Sequence, residues 1–200
     1  MPKKSENKEK TVPSKPAASA VADASAPAIV QRGDSILRGE AKPVAVEEIT
    51  SPRIKKVITD MRLAMASQKD GVAIAAPQIG MPLQIFVVSG HLLSLADKTY
   101  TGGEDDLIFI NPKIVRLSKE KADVEEGCLS VRWKYGVVRR SVRATIKYFN
   151  EQGEKKERGA SGLLAQIFQH ETDHLHGKLF VDSAKEVWDM TDEEIAELQK

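Results

Sequence analysis

The chain has 200 residues, 41% of them hydrophobic, enough for one medium-sized domain with a core and some length to spare. Lys and Arg number 30 against 29 Asp and Glu, a formal charge of +1, so no basic footprint argues for binding DNA. No apolar run is long enough to span a membrane, and the single cysteine, Cys128, excludes an internal disulfide and points to a reducing compartment.

Residues 1–28, MPKKSENKEKTVPSKPAASAVADASAPA, consist mainly of Lys, Ser, Ala and Pro without an aromatic. Such a segment cannot bury enough apolar surface to offset its ordering entropy, and a disordered tail is expected, with a single domain over residues 29–200. Pro16 and Asp23 interrupt the Ala-rich part, against a secretory signal peptide, while Glu6, Glu9 and the lack of Arg before Arg32 oppose an organellar transit peptide. The tail's lysines suggest docking on ribosomal RNA or another anionic surface.

A helix is predicted after Ser51, where Pro52 suits the first helical position and Ile54, Ile58, Met61 and Met65 recur at helical spacing; it should end near Asp70-Gly71. LQIFVVS (83–89), LIFIN (107–111) and VRATIKYF (142–149) read as strands, the last placing Ala144, Ile146 and Tyr148 on one face. Gly102-Gly103 and Glu151-Gln152-Gly153 are turn signals. A second helix should run from Ser161 to Gly177, and Thr191-Asp192-Glu193-Glu194 forms a capping box that opens a last short helix. The pattern is α+β: small antiparallel sheets packed around a central helix.

That central helix carries FQHETDHLHG (168–177). Residues four apart share a helix face, so His170 and His174 can aim two imidazole nitrogens at one point, with Leu163 and Ile167 on the same stripe. Desolvated histidines need polar partners, and a metal ion is one. Glu171 sits one step round from His170, within reach of a water at that metal without being a ligand, as in the H-E-x-x-H pattern. A catalytic site of this kind wants three protein ligands and one open position. His176 faces away from the stripe; Asp182 and Glu186 are conceivable third ligands downstream, and Cys128, in VEEGCLSVR, is the candidate upstream.

Three blocks in order resemble the peptide deformylase family: GVAIAAPQIG (71–80), EGCLS (126–130) and QHETDHLHG (169–177). The resemblance implies removal of the N-formyl group from the formyl-methionine of nascent polypeptides, with release of formate, in the bacterial cytoplasm rather than an organelle; a monomer without membrane attachment is expected. It implies that Cys128, His170 and His174 hold one divalent metal, Fe(II) in the family, although a sulfur and two nitrogens also suit Zn(II), Co(II) and Ni(II). It makes Glu171 the proton carrier, and the Gln78 side-chain amide and the Leu129 backbone N–H the oxyanion donors. Glu126 and Asp173 are expected to steady the histidines. Val72, Ala73, Leu163 and Ile167 are candidates for the methionine slot, whereas Arg139, Arg140 and Arg143 read as charges on a strand face. The chain departs from the family at Ala73, where a glycine is usual, and at Arg132, where proline is common. Two other readings stay open: a general HExxH zinc peptidase with an acidic third ligand, and a non-catalytic metal-binding relative.

Overall fold

The computed structural model describes residues 25–98 and 100–199; the tail expected over residues 1–28, and with it the proposed docking on RNA, lies largely outside them. In chain order the described elements are α1 (Pro52–Ala66), β1 (Ala73–Ala75), β2 (Ile85–Val88), α2 (Gly90–Ala96), β3 (Leu107–Leu117), β4 (Lys121–Gly127), β5 (Lys134–Ser141), β6 (Arg143–Phe149), β7 (Lys155–Ser161), α3 (Gly162–Leu175), β8 (Glu186–Asp189) and α4 (Asp192–Gln199). One antiparallel sheet has the order β1-β2-β3-β6-β7 and a second the order β4-β5-β8, giving the α+β arrangement read from the sequence.

Ser51 starts α1 by accepting a hydrogen bond from the Ile54 N–H, next to Pro52 with its preset φ. The helix stops short of the Asp70-Gly71 end that periodicity suggested. Ser67 caps it, and residues 67–71 fold into a turn in which the Gly71 N–H reaches the Gln68 carbonyl. Only glycine fits there, because a Cβ on Gly71 would lie 2.3 Å from the Met65 carbonyl oxygen.

The apolar run in β2 is continuous because the strand is covered on both faces. Ile85 and Val87, with Ile74, Ile108 and Ile110, meet Ile54, Ile58, Met61 and Met65 of α1. Phe86 and Val88, with Phe109, Ala144 and Ile146, meet Leu164, Ala165, Phe168 and Leu175 of α3. Phe109 stacks on Phe86 at 4.4 Å and takes the edge of Phe168 at 5.2 Å, which fixes the roll of α3 against the sheet. The other side of α3 packs near β5, so the helix lies between the two sheets.

The strand expected to end at Asn111 runs on to Leu117. Its register slips between Ile110 and Lys113, Asn111 takes a left-handed φ of 50°, and the Asn111 amide closes the bulge with the Val44 N–H and carbonyl at 2.8 and 2.7 Å. The last helix opens as its capping box predicts: Glu194 accepts from the Thr191 N–H at 2.7 Å, and Thr191 accepts from the Glu194 N–H at 3.2 Å.

Candidate metal centre

Helix α3 carries His170 and His174, which meet Cys128, and Glu171, which lines the adjoining cleft. Two sets of contacts hold the helix in that orientation. Leu164, Ala165, Phe168 and Leu175 are buried in the sheet's core. Gln169 reaches the other way: its amide accepts from the Ser141 N–H and donates to the Ser141 carbonyl, both at 3.0 Å, tying α3 to the end of β5. Gly177 then ends the turn with φ +69°, where a side chain would strike the Arg38 carbonyl.

Cys128 follows β4 directly. The hairpin of β4 and β5 sets Gly127 against Tyr135, so closely that a Cβ on Gly127 would lie 2.9 Å from the ring, and the chain then turns Cys128 toward α3. Its Sγ lies 3.2 Å from His174 Nε2. The Cys128 sulfur and the ring nitrogens of His170 and His174 all lie within 4.8 Å of one another. Ligands of a tetrahedral ion with metal–sulfur and metal–nitrogen bonds of ~2.3 and ~2.1 Å sit about 3.5 Å apart, so this spacing fits a small divalent cation.

The electrostatics fit as well. Burial pushes the Cys128 thiol up, but the His174 charge and hydrogen bonds from both histidines outweigh it and hold the group at about 5, in the thiolate form a metal requires. His170 is pushed down by burial, yet its bonds to Cys128 and Glu126 raise it well above the usual histidine value. Two buried polar atoms of this cluster, Glu171 Oε2 and His174 Nδ1, have no hydrogen-bond partner among the described residues. Burial raises Glu171 above the ordinary carboxylate range against the charges of His170 and His174. A cation would lower the price of that buried carboxylate.

Behind His170 stands a buried chain of charges. His170 Nδ1 lies 2.9 Å from Glu126 Oε2; Arg140 holds both Glu126 oxygens at 2.8 and 3.0 Å and reaches Asp173 at 2.6 Å. Burial would raise Glu126, but the hydrogen bonds from His170 and Arg140 prevail and bring it to about 2. Glu126 thus touches a candidate ligand, whereas Asp173 connects to it only through Arg140 and Glu126. The reading of Arg140 as a strand-face charge is overturned: it is 9% exposed, because it shares strand parity with Val138 and Gly136, which also face inward. Arg139, the next residue, is exposed and pairs with Asp123.

Gln78 enters from a turn after β1. Its Oε1 accepts from the Ala75 N–H at 2.7 Å, which leaves its amide nitrogen facing Ser130 Oγ at 3.1 Å and Cys128 Sγ at 3.6 Å. Leu129 lines the same cleft. An N-terminal strap that sequence reasoning missed braces both segments: the Val30 N–H donates to the Gln78 carbonyl, the Gln31 amide to the Leu129 carbonyl and the Arg32 N–H to the Ser130 carbonyl.

The cleft of about 230 Å³ is lined by Val72, Ala73, Leu163 and Ile167, together with Gln78, Leu129, His170 and Glu171. Leu163 and Ile167, candidates for the methionine slot, thus line this cleft, and Ile167 also packs in the sheet's core. The downstream acids do not reach it: Asp182 pairs with Arg38 and Glu186 lies exposed on β8, while His176 meets the Thr172 carbonyl.

Comparison with known proteins agrees with this geometry. The family model described as polypeptide deformylase matches residues 26–189. The peptide deformylase of Carboxydothermus hydrogenoformans is 42% identical over 159 residues, 80% of this chain and 93% of that protein. The chloroplastic peptide deformylase 1A of Solanum lycopersicum is 39% identical over 163 residues, 78% of this chain but 58% of the tomato protein's length. A Met-Ala-Ser-bound crystal structure of a class I type b peptide deformylase from Acinetobacter baumannii superposes with a TM-score of 0.68 at 34% identity, covering 78% of this chain and 96% of that one.

Proposed function

The chain belongs to the polypeptide deformylase family, and from that membership we propose that it removes the N-formyl group from the N-terminal formyl-methionine of newly made polypeptides, releasing formate, at the Cys128–His170–His174 centre. It is an enzyme of the peptide deformylase type. The observation that carries the site assignment is the meeting of one thiolate and two imidazoles within 4.8 Å, beside a buried carboxylate, Glu171, whose Oε2 has no hydrogen-bond partner among the described residues.

A divalent ion bound there would polarise the formyl carbonyl and bring the pKa of a water from 15.7 toward about 7. The ion we infer is Fe(II), on the family resemblance; Zn(II), Co(II) and Ni(II) suit the same donors. Glu171 would take the proton as water attacks the formyl carbon and return it to the departing amine nitrogen, a shuttle suited to a carboxylate whose affinity for a proton is raised by burial. The Gln78 amide nitrogen, its oxygen held by Ala75, would donate to the oxyanion together with the Leu129 N–H. Val72, Ala73, Leu163 and Ile167 offer the apolar surface for methionine. Residues 29–200 would act as one domain, as a monomer, in the bacterial cytoplasm where formylated chains are made.

The test is formate release from a formyl-methionyl peptide by protein purified without oxygen, with its metal quantified. Glu171→Gln is expected to retain the metal and lose about 100- to 10,000-fold in kcat. A Gln variant as fast as wild type would remove Glu171 from the chemistry.

A further inference from the structure

Arg132 stands four residues past Cys128, in the loop between β4 and β5, and Asp70 stands two residues before Val72, in the turn between α1 and β1. Both line the cleft. One segment brings Val72 and Ala73 to it, the other Leu129, Val131 and Trp133. The Arg132 guanidinium joins the two segments: it holds both oxygens of Asp70, donates to Gln68 Oε1 at 2.7 Å, and lies 4.9 Å from the centroid of the Trp133 ring.

This is not an ordinary surface pair. Its side chains are 17% and 23% exposed, against 57% and 50% for Arg53 and Glu48 on the outside of the molecule. Exposed pairs hold two mobile side chains loosely and stabilise little. A two-pronged arginine fork with a stacked indole is rigid and directional. Gln68 and Asp70 both belong to the short turn that the Gly71 close approach forces after α1, so the fork grips a segment that is itself constrained.

We propose that the Arg132–Asp70 bridge is a positioning device for the peptide: it fixes the spacing of the two cleft segments and so holds the residues that follow the formyl-methionine. The inference rests on the deformylase reading of the cleft. Neither side chain is part of the ligand cluster or hydrogen-bonded to it, and Gln78 and Leu129 are braced separately by Val30 and Gln31, so the bridge acts on how the peptide lies and not on the reacting atoms. Its loss should then matter in proportion to how much peptide extends past methionine.

The experiment compares wild type, Arg132→Ala, Arg132→Lys and the charge-exchanged Asp70→Arg/Arg132→Asp, all metal-loaded, on formyl-methionine amide and on formyl-Met-Ala-Ser. For Arg132→Ala, KM for the tripeptide should rise about tenfold, while kcat on both substrates and KM for the single residue stay within about twofold. The charge-exchanged protein should recover most of the tripeptide KM, and Arg132→Lys less, since an ammonium cannot form the fork. Equal KM changes on both substrates, a fall in kcat alone, or no change would overturn the proposal. Should Arg132→Ala lose Tm, Asp70→Asn is read by the same criteria. A wild type inactive on both substrates would overturn the deformylase reading itself.

Discussion

The two sides of the metal centre are built by different forces. The helix side takes His170, Glu171 and His174 from five consecutive residues, and apolar packing of Phe168, Leu164 and Leu175 on the sheet sets their direction. The loop side takes Gln78 and Cys128 from segments 50 residues apart, and directional hydrogen bonds hold them: Ala75 to Gln78, Gln78 to Ser130, and the strap of residues 30–32 across both. Packing is sensitive above all to volume and shape, hydrogen bonds to the identity and direction of donor and acceptor. Substitutions that preserve volume should therefore spare the helix side's position and expose the loop side's chemistry.

Cys128→Ser breaks the comparison most severely. The hydroxyl nearly conserves volume, yet it keeps its proton where the thiol is held at about 5. Loss of metal and a fall in activity of more than about 1,000-fold are expected, the equivalent of roughly 4 kcal/mol of Lewis-acid stabilisation. Metal analysis beside formate release checks this. A variant that keeps a full equivalent of metal would revive an acidic third ligand, although Asp182 and Glu186 sit elsewhere in the structure.

Gln78→Glu sharpens the contrast at a smaller amplitude. A glutamate oxygen can still accept from the Ala75 N–H, so the turn after β1 should keep its shape, while a carboxylate buried at a position 1% exposed beside Cys128 lowers the Tm. The side chain would no longer donate, and kcat is expected to fall by about 100- to 1,000-fold. A kcat within about twofold of wild type would mean that Gln78 serves the turn and not the oxyanion.

The difference between the two sides also governs what could be read from the chain. His170 and His174 announced themselves because helical spacing is local, and Cys128 because it is the sole thiol. The capping box at Thr191 and the Ser51-Pro52 start were legible for the same reason. Arg140 and Gln169 were not, because the partners that satisfy them when buried come from other segments, Glu126 from β4 and Ser141 from β5. β7 was missed since KKERGAS is largely solvated and carries no apolar alternation, and β3 was cut short because the Asn111 bulge imitates a strand end. The strap at residues 30–32 donates mostly through backbone N–H groups, which no side-chain pattern encodes.

Glu126 belongs to both sides, since it ends β4 two residues before Cys128 and touches His170 on α3. Glu126→Gln keeps an oxygen for His170 Nδ1–H but removes the charge that Arg140 shares between Glu126 and Asp173. Metal affinity, measured by competition with a chelator, is expected to weaken about 10- to 100-fold, with activity returning at excess metal. The two histidines are unequal in this respect, because His174 Nδ1 has no hydrogen-bond partner among the described residues. If the Glu126→Gln affinity equals that of wild type, then His170 is oriented by packing alone, against Phe180 at 6.3 Å, and the charge chain from Arg140 serves the fold only.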